Sequence, residues 1–166
     1  MFFQCKSFKI ASIAESQLSQ VLSVYQQCED FLALGPVSKA SMDMVKADID
    51  HSKEENGLFC GIFDLKDNLI GIIDFVPSMF EGKPENAFIS LIMVAKPYRN
   101  KGLGRKVTEA VINKIKEDPQ VRVVLSAVQT NNEQAIKFWE SLGFHIIGDP
   151  EPRPDKTVVY RLGNNL

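Results

Sequence analysis

One short stretch carries the clearest chemistry: Arg99-Asn100-Lys101-Gly102-Leu103-Gly104-Arg105. It follows an apolar run and opens an amphipathic pattern, so it reads as a turn entering a helix. Glycines at 102 and 104 let backbone N–H groups approach a ligand with no side chain in the way. A helix start adds unpaired N–H donors and a partial positive charge. Together these favour a phosphate or pyrophosphate, and Arg99, Lys101, Arg105 and Lys106 add formal charge. A tight basic turn that binds nothing has the same composition. The dinucleotide fingerprint Gly-x-Gly-x-x-Gly fails because its third position is Val107. The nucleotide loop Gly-x-x-x-x-Gly-Lys-Ser/Thr is absent. Both absences argue against a dehydrogenase and a mononucleotide kinase.

Other chemistries have less support. Cys5, Cys28 and Cys60 are too few and too widely spaced for a disulfide framework or a Cys-x-x-Cys site. Cys28 and Cys60 sit in apolar patterns and read as core. His51 and His145 are far apart, so no metal site is expected. The net charge of −2 argues against a dedicated nucleic-acid binder. No apolar run approaches the ~18 residues a membrane span needs, and the start lacks the apolar core of a secretory signal. The reading is a cytoplasmic chain with no membrane or nucleic-acid partner. The charge is uneven: residues 1–90 carry 7 Lys/Arg against 13 Asp/Glu, and residues 91–166 carry 12 against 8. Chance produces such an imbalance, but so does a protein serving one cationic and one anionic ligand.

The elements that position the turn follow from periodicity. With 166 residues, one domain is expected. Phe2 to Ile13 reads as a first strand entering a loop. Leu18, Val21, Leu22, Tyr25, Cys28 and Leu32 mark an amphipathic helix, ended by Gly35-Pro36. Ser38 or Ser41 caps a second helix bearing Met42, Val45 and Ile49. Leu58–Leu65 and Leu69–Val76, joined by Lys66-Asp67-Asn68, form a hairpin. The polar stretch Ser78–Asn86 is a loop. Ala87–Ala95 is apolar without alternation, hence a central strand buried on both faces. A helix bearing Leu103, Val107, Ala110, Val111 and Ile115 follows, then a buried strand Val121–Val128. Ala135, Ile136, Trp139 and Leu142 mark a last helix, capped at Thr130, Asn131 or Asn132 and ended by Gly143. Phe144–Ile147 and Thr157–Leu162 are closing strands around a loop, Gly148–Lys156. The strand–helix–strand unit implies a parallel crossover in a mixed, mostly antiparallel α/β sheet.

Val94-Ala95-Lys96-Pro97-Tyr98-Arg99-Asn100-Lys101-Gly102-Leu103-Gly104-Arg105 resembles the pyrophosphate motif of the GNAT superfamily of acetyl-CoA-dependent N-acetyltransferases. The family pattern is Arg/Gln-x-x-Gly-x-Gly/Ala after the fourth strand. Asn132-x-x-Ala135-x-x-Phe138-Trp139-x-x-x-Gly143-Phe144 resembles its second signature. The resemblance covers the C-terminal half in motif and the N-terminal half in element order. It implies a single domain made of an acceptor-side half (1–86), an acetyl-CoA-binding core (87–147) and a closing loop and strand (148–166). It also implies a sheet splayed between the family's fourth and fifth strands, here Ala87–Ala95 and Val121–Val128, where acetyl-CoA inserts. A homodimer is among the states common in the family.

Carried over position by position, the resemblance assigns main-chain contacts with the pantetheine arm and acetyl carbonyl to Ile92, Met93 and Val94. It assigns the pyrophosphate to Asn100, Lys101, Gly102, Leu103, Gly104 and Arg105, with Arg99 at the motif's start. Asn132 matches an Asn that bonds the pantetheine arm, a role compatible with capping the helix. Trp139 stands where many members have an acidic Tyr; as an indole it donates but is no usable acid, and it reads equally as a core aromatic. Ala127 stands where some members have a basic Glu. An amine attacks only when neutral, so a base is needed elsewhere. Candidates are Asp74 near a strand end, Glu81 and Glu85 in the following loop, and Ser90 as a water holder. Tyr98 and Tyr160 are candidate acids, and His145 reads as structural. The implied function is acetyl transfer from acetyl-CoA to a primary amine of a small molecule or peptide, by direct attack in a ternary complex. The acidic residues Glu29, Asp30, Asp43, Asp48 and Asp50 would help attract a cationic acceptor. The alternatives are a non-catalytic acyl-CoA-binding module, motivated by Trp139 and Ala127, and a transferase for a longer acyl group.

Overall fold

The apolar run around Ala87–Ala95 becomes the strand about which the molecule is organised. A computed structural model describes residues 2–166. Among them, eight strands form one sheet: β1 (Phe2–Gln4), β2 (Lys9–Ser12), β3 (Leu58–Phe63), β4 (Leu69–Val76), β5 (Asn86–Val94), β6 (Val123–Gln129), β7 (His145–Pro152) and β8 (Val158–Asn165). The sheet order is β1-β2-β3-β4-β5-β6-β8-β7. All pairs are antiparallel except β5–β6, which is parallel across the helical crossover.

Five α-helices accompany it: α1 (Leu18–Gln27), α2 (Glu29–Leu32), α3 (Met42–Glu54), α4 (Leu103–Ile115) and α5 (Glu133–Glu140). They cover the two faces of the sheet. α4 and α5 pack Val107, Val111, Ile115 and Trp139 against Ile73, Phe75 and Ile89. α1 and α3 pack Val21, Val24, Tyr25 and Val45 against Ile72 and Met93. Each such side chain, fully buried, contributes roughly 1.5–3 kcal/mol. Cys28 and Cys60 are core residues, as their patterns predict.

Three expectations are corrected. Phe2–Ile13 is a hairpin rather than one strand, turned by Cys5 N–H donating to Phe8 O at 2.8 Å. The helix expected over Leu18–Leu32 breaks at Cys28 (φ −107°, ψ 16°) into α1 and α2. β7 runs on to Pro152 through the expected loop, with a register shift between Ile147 and Glu151 against β8. Two caps match their sequence reading. Ser41 accepts from Met44 N–H at 3.1 Å, and Asn132 accepts from Ala135 N–H at 3.0 Å.

The feature that positions the site is a parting of two strands. β5 and β6 pair only from Asn86↔Val123 to Ile89↔Ser126. Beyond that, β5 runs on to Val94 beside β4, while Ala127–Gln129 stay with β8. The cause is local. Asp74 pairs with Leu91 and Phe75 with Ile89, so Ser90 is an extra residue in β5. Such a bulge bends the strand that carries it. The expected splay therefore lies between β5 and β6, which are fifth and sixth here because the N-terminal segment makes two strands.

Candidate active site

The parting opens toward the N-terminus of α4. Asn100 is left-handed at φ 57° and Gly102 at φ 75°. A Cβ at Gly102 would meet nothing within 4 Å, so glycine serves the backbone conformation and leaves the approach open. The helix's first backbone bond at this end is Lys106 N–H to Gly102 O, 3.1 Å. The N–H groups of Leu103, Gly104 and Arg105 thus begin α4 without an intrahelical partner. A Cβ at Gly104 would lie 3.5 Å from the Phe138 ring, an ordinary contact, so this glycine is not required by the packing of α5.

The basic side chains of the motif divide. Lys101 Nζ folds back on Pro97 O at 2.7 Å. Arg105 turns away to donate to Ser141 O and Oγ at 2.9 and 2.8 Å. Arg99 is committed elsewhere: Nε donates to Val94 O at 2.7 Å, Nη1 to Asp30 at 2.7 Å, and Nη2 to Gln27 O at 2.9 Å and Cys28 Sγ at 3.0 Å. The side chains of Arg99, Lys101 and Arg105 are thus engaged within the protein, and Arg99 ties the α1–α2 junction to the end of β5. The same bond occupies the Val94 carbonyl, leaving Ile92 and Met93 as the main-chain stretch beside the parting. Trp139 is 5% exposed and packs edge-on against Phe144, ring centroids 4.8 Å apart, so it stands in the core. Asn132 faces its own helix as its cap.

On the face covered by α3, at the point where β5 leaves β6, lies a cavity of about 290 Å³. Asp74, Ser90, Glu81, Arg161 and Ala127 are among its lining. Asp74 is 7% exposed, and both its oxygens are held: Ser52 Oγ donates to Oδ1 and Ser90 Oγ to Oδ2, each at 2.6 Å. The Ser90 hydroxyl also lies 3.0 Å from Asp74 O. Of the catalytic candidates, Asp74 and Ser90 therefore meet, and Glu81 lines the same cavity. Glu85 does not join them. It is exposed at the head of β5, where its carbonyl accepts from Arg122 and Val123 N–H. It precedes Ser90 by five residues, roughly 16 Å of extended chain. Tyr98 and Tyr160 pack partly buried against the core on the α4 side, and His145 is exposed on β7.

The surroundings are charged. Tyr25 donates to Asp48 at 2.7 Å. Burial pushes the Asp48 carboxyl above its usual range; the Tyr25 bond opposes this and the charge of Asp74 adds to it. Burial, with Asp48 beside it, likewise raises the Tyr25 hydroxyl. Glu81 is held below the usual carboxylate range by its hydrogen bonds from Arg161.

Sequence reasoning missed Ser52 and Arg161. Ser52 had a signal: it continues the Val45, Ile49 stripe of α3, a polar residue in an apolar position. Arg161 had none, because only the β6–β8 pairing sets it opposite Ala127.

A mixed sheet parted between two parallel strands above a helix N-terminus is the fold of the acetyltransferases. An acetyltransferase from Thermus thermophilus superimposes with a TM-score of 0.80 at 18% identity, over 99% of this chain and 100% of that one. The model of the acetyltransferase (GNAT) family matches residues 19–144, and the chain belongs to that family. Among curated relatives, N-alpha-acetyltransferase 30 of Schizosaccharomyces pombe is 30% identical over 78 residues, 47% of this chain and 51% of that protein. The probable spermine N(1)-acetyltransferase of Bacillus subtilis subsp. natto is 26% identical over 82 residues, 49% and 54% of the two. The aligned stretches thus span about half the length of these relatives. No described helix is long and apolar enough to cross a membrane.

Proposed function

We propose that this chain is an N-acetyltransferase that moves the acetyl group of acetyl-CoA to a primary amine, with Asp74 as the base. The observation that carries the reading is Asp74 itself, a carboxylate held by Ser52 and Ser90 in a cavity at the mouth of the parted strands. Family membership supports the acetyl donor, and so does the open backbone cradle at Gly102.

Bound acetyl-CoA supplies an activated thioester. The backbone N–H groups of Leu103, Gly104 and Arg105 would hold its pyrophosphate at the α4 N-terminus. The edges of β5 and β6 beyond Ile89 and Ser126, which do not pair with each other, would take its pantetheine arm. The amine enters from the α3 face. Asp74, acting directly or through a water on Ser90, accepts a proton from the ammonium, and the freed lone pair attacks the thioester carbon. The new C–N bond replaces the C–S bond; the nitrogen gives up its second proton through solvent to the departing thiolate, leaving a neutral amide and CoA, and Asp74 returns the first proton to solvent. Holding both reactants in the parted sheet supplies much of the acceleration. The acceptor is a small-molecule amine or a peptide amine, the two classes that the relatives' names point to.

The test is Asp74→Asn. Removal of a general base lowers kcat by about 10²–10⁴-fold. The variant should retain the rise in Tm that acetyl-CoA gives the wild type. Wild-type turnover in Asp74→Asn would overturn the assignment of the base. No Tm rise in the wild type would overturn the assignment of the donor.

A further inference from the structure

The wall of the cavity opposite Asp74 has an unusual owner for its charge. Arg161, on β8, donates Nη1 to Glu81 Oε2 at 2.9 Å and Nη2 to Glu81 Oε1 at 2.7 Å, a two-pronged pair. Its Nε donates to Glu151 at 3.2 Å. One guanidinium thus occupies two carboxylates. Glu81 is held there by a strained connection: Met79 and Glu81 are both left-handed, at φ 62° and 54°, and neither is glycine. Such residues are strained and persist where the surroundings over-determine them. Here the Arg161 pair and the stacking of Phe80 on Phe88, 4.3 Å between centroids, supply that.

We infer that Arg161 is a specificity-determining residue, an internal cation that holds the carboxylate a second ammonium would need and so reserves the cavity for acceptors with a single amine charge. Arg153 also lines the cavity and lies 3.7 Å from Glu151, so without Arg161 it is Glu81 that is freed to join Asp74 and Glu55 in a wall suited to a polyamine. With it, a polyamine must displace a tethered guanidinium whose effective concentration is of millimolar order or higher. The two-pronged geometry also favours guanidinium over a point-like ammonium. The inference rests on the acetyltransferase reading only in taking this cavity as the acceptor site.

The experiment compares spermidine with butylamine as probes of the wild type, Arg161→Gln, Arg161→Met and Arg161→Lys. Binding is measured by calorimetry and needs no turnover. The wild type should bind spermidine no more tightly than butylamine. Arg161→Gln and Arg161→Met should bind spermidine at least tenfold more tightly than the wild type does, with butylamine within twofold. Arg161→Lys should keep the wild-type ratio. A wild type that prefers spermidine overturns the inference without any variant, so it stays falsifiable even where a variant fails to fold. Spermidine affinity unchanged in the Gln and Met variants overturns it too. Equal gains for both amines also overturn it, because they signal only a larger cavity. Acetyl transfer to butylamine by the wild type is followed separately: its absence counts against the acetyltransferase reading, while the binding ratio still decides the role of Arg161.

Discussion

The Ser90 hydroxyl donates to Asp74 Oδ2 at 2.6 Å across the register shift that makes Ser90 the extra residue of β5. One bulge therefore does two things. It bends β5 away from β6, and it aims a hydroxyl at the buried carboxylate. Ser90→Ala removes the second effect and leaves the backbone. Loss of one hydrogen bond to a charged group is worth about 1.5–3 kcal/mol. We expect kcat to fall by about tenfold to a hundredfold. The KM for acetyl-CoA should not change, because Ser90 is assigned to the acceptor side. Steady-state kinetics with each substrate varied in turn measures both; a raised KM for acetyl-CoA with unchanged kcat contradicts the assignment.

Gly102 separates a backbone role from a steric one. A Cβ there would meet no atom within 4 Å, yet φ is 75°. Gly102→Ala should cost about 1 kcal/mol from the left-handed backbone alone. Gly102→Glu should cost a similar amount in stability, yet it also sets a negative charge at the α4 N-terminus. We expect it to abolish the Tm rise with acetyl-CoA, which Gly102→Ala retains in part. Normal acetyl-CoA binding by Gly102→Glu would remove the pyrophosphate from this turn.

Arg99 ties together parts of the chain far apart in sequence: Val94 O, Gln27 O and Asp30. Arg99→Lys keeps the charge but cannot reach all three with one ammonium. We expect it to lose about 2 kcal/mol of stability, read by urea denaturation. Hydrogen exchange should quicken at the α1–α2 junction more than in α4. Uniform loss of protection would mean that Arg99 acts on the whole fold rather than as this tie.

Asp48 gives a pH test whose sign follows from burial. Its folded-state affinity for a proton is raised. Between the ordinary carboxylate value near 3.9 and the raised one, the folded chain holds a proton that the unfolded chain has released. Stability from this group therefore falls as pH rises through that window. Asp48→Asn removes the slope and keeps an oxygen to accept from Tyr25. Compared with the wild type, the variant should gain Tm as pH rises from about 4 to 7. A constant difference across that range would show that Asp48 does not titrate there.

Much of this was legible from residues alone. The caps at Ser41 and Asn132, the buried central strand and the glycine turn are local, and local chemistry specifies them: a side-chain oxygen at a helix start, an apolar run, a backbone that needs glycine. Asp74 was legible too, as an ionisable residue in an otherwise apolar strand. Other features depend on register and on distance across the fold. Ser90 reached Asp74 only because β5 gained a residue relative to β4, and a one-residue slip moves every side chain to the other face. Glu85 looked as suitable as Asp74 until the strand carried it to the far end. Arg99 and Arg105 read as phosphate ligands by charge, yet tertiary packing offered them carbonyls and a carboxylate at 2.7–2.9 Å, and there their side chains went. The sequence by itself determined the family, the order of elements from α3 onward and the glycine turn, because these rest on short spans of chain. Only the tertiary structure decided which charged groups face the cavity, because that depends on strand pairing between residues as distant as Ala127 and Arg161.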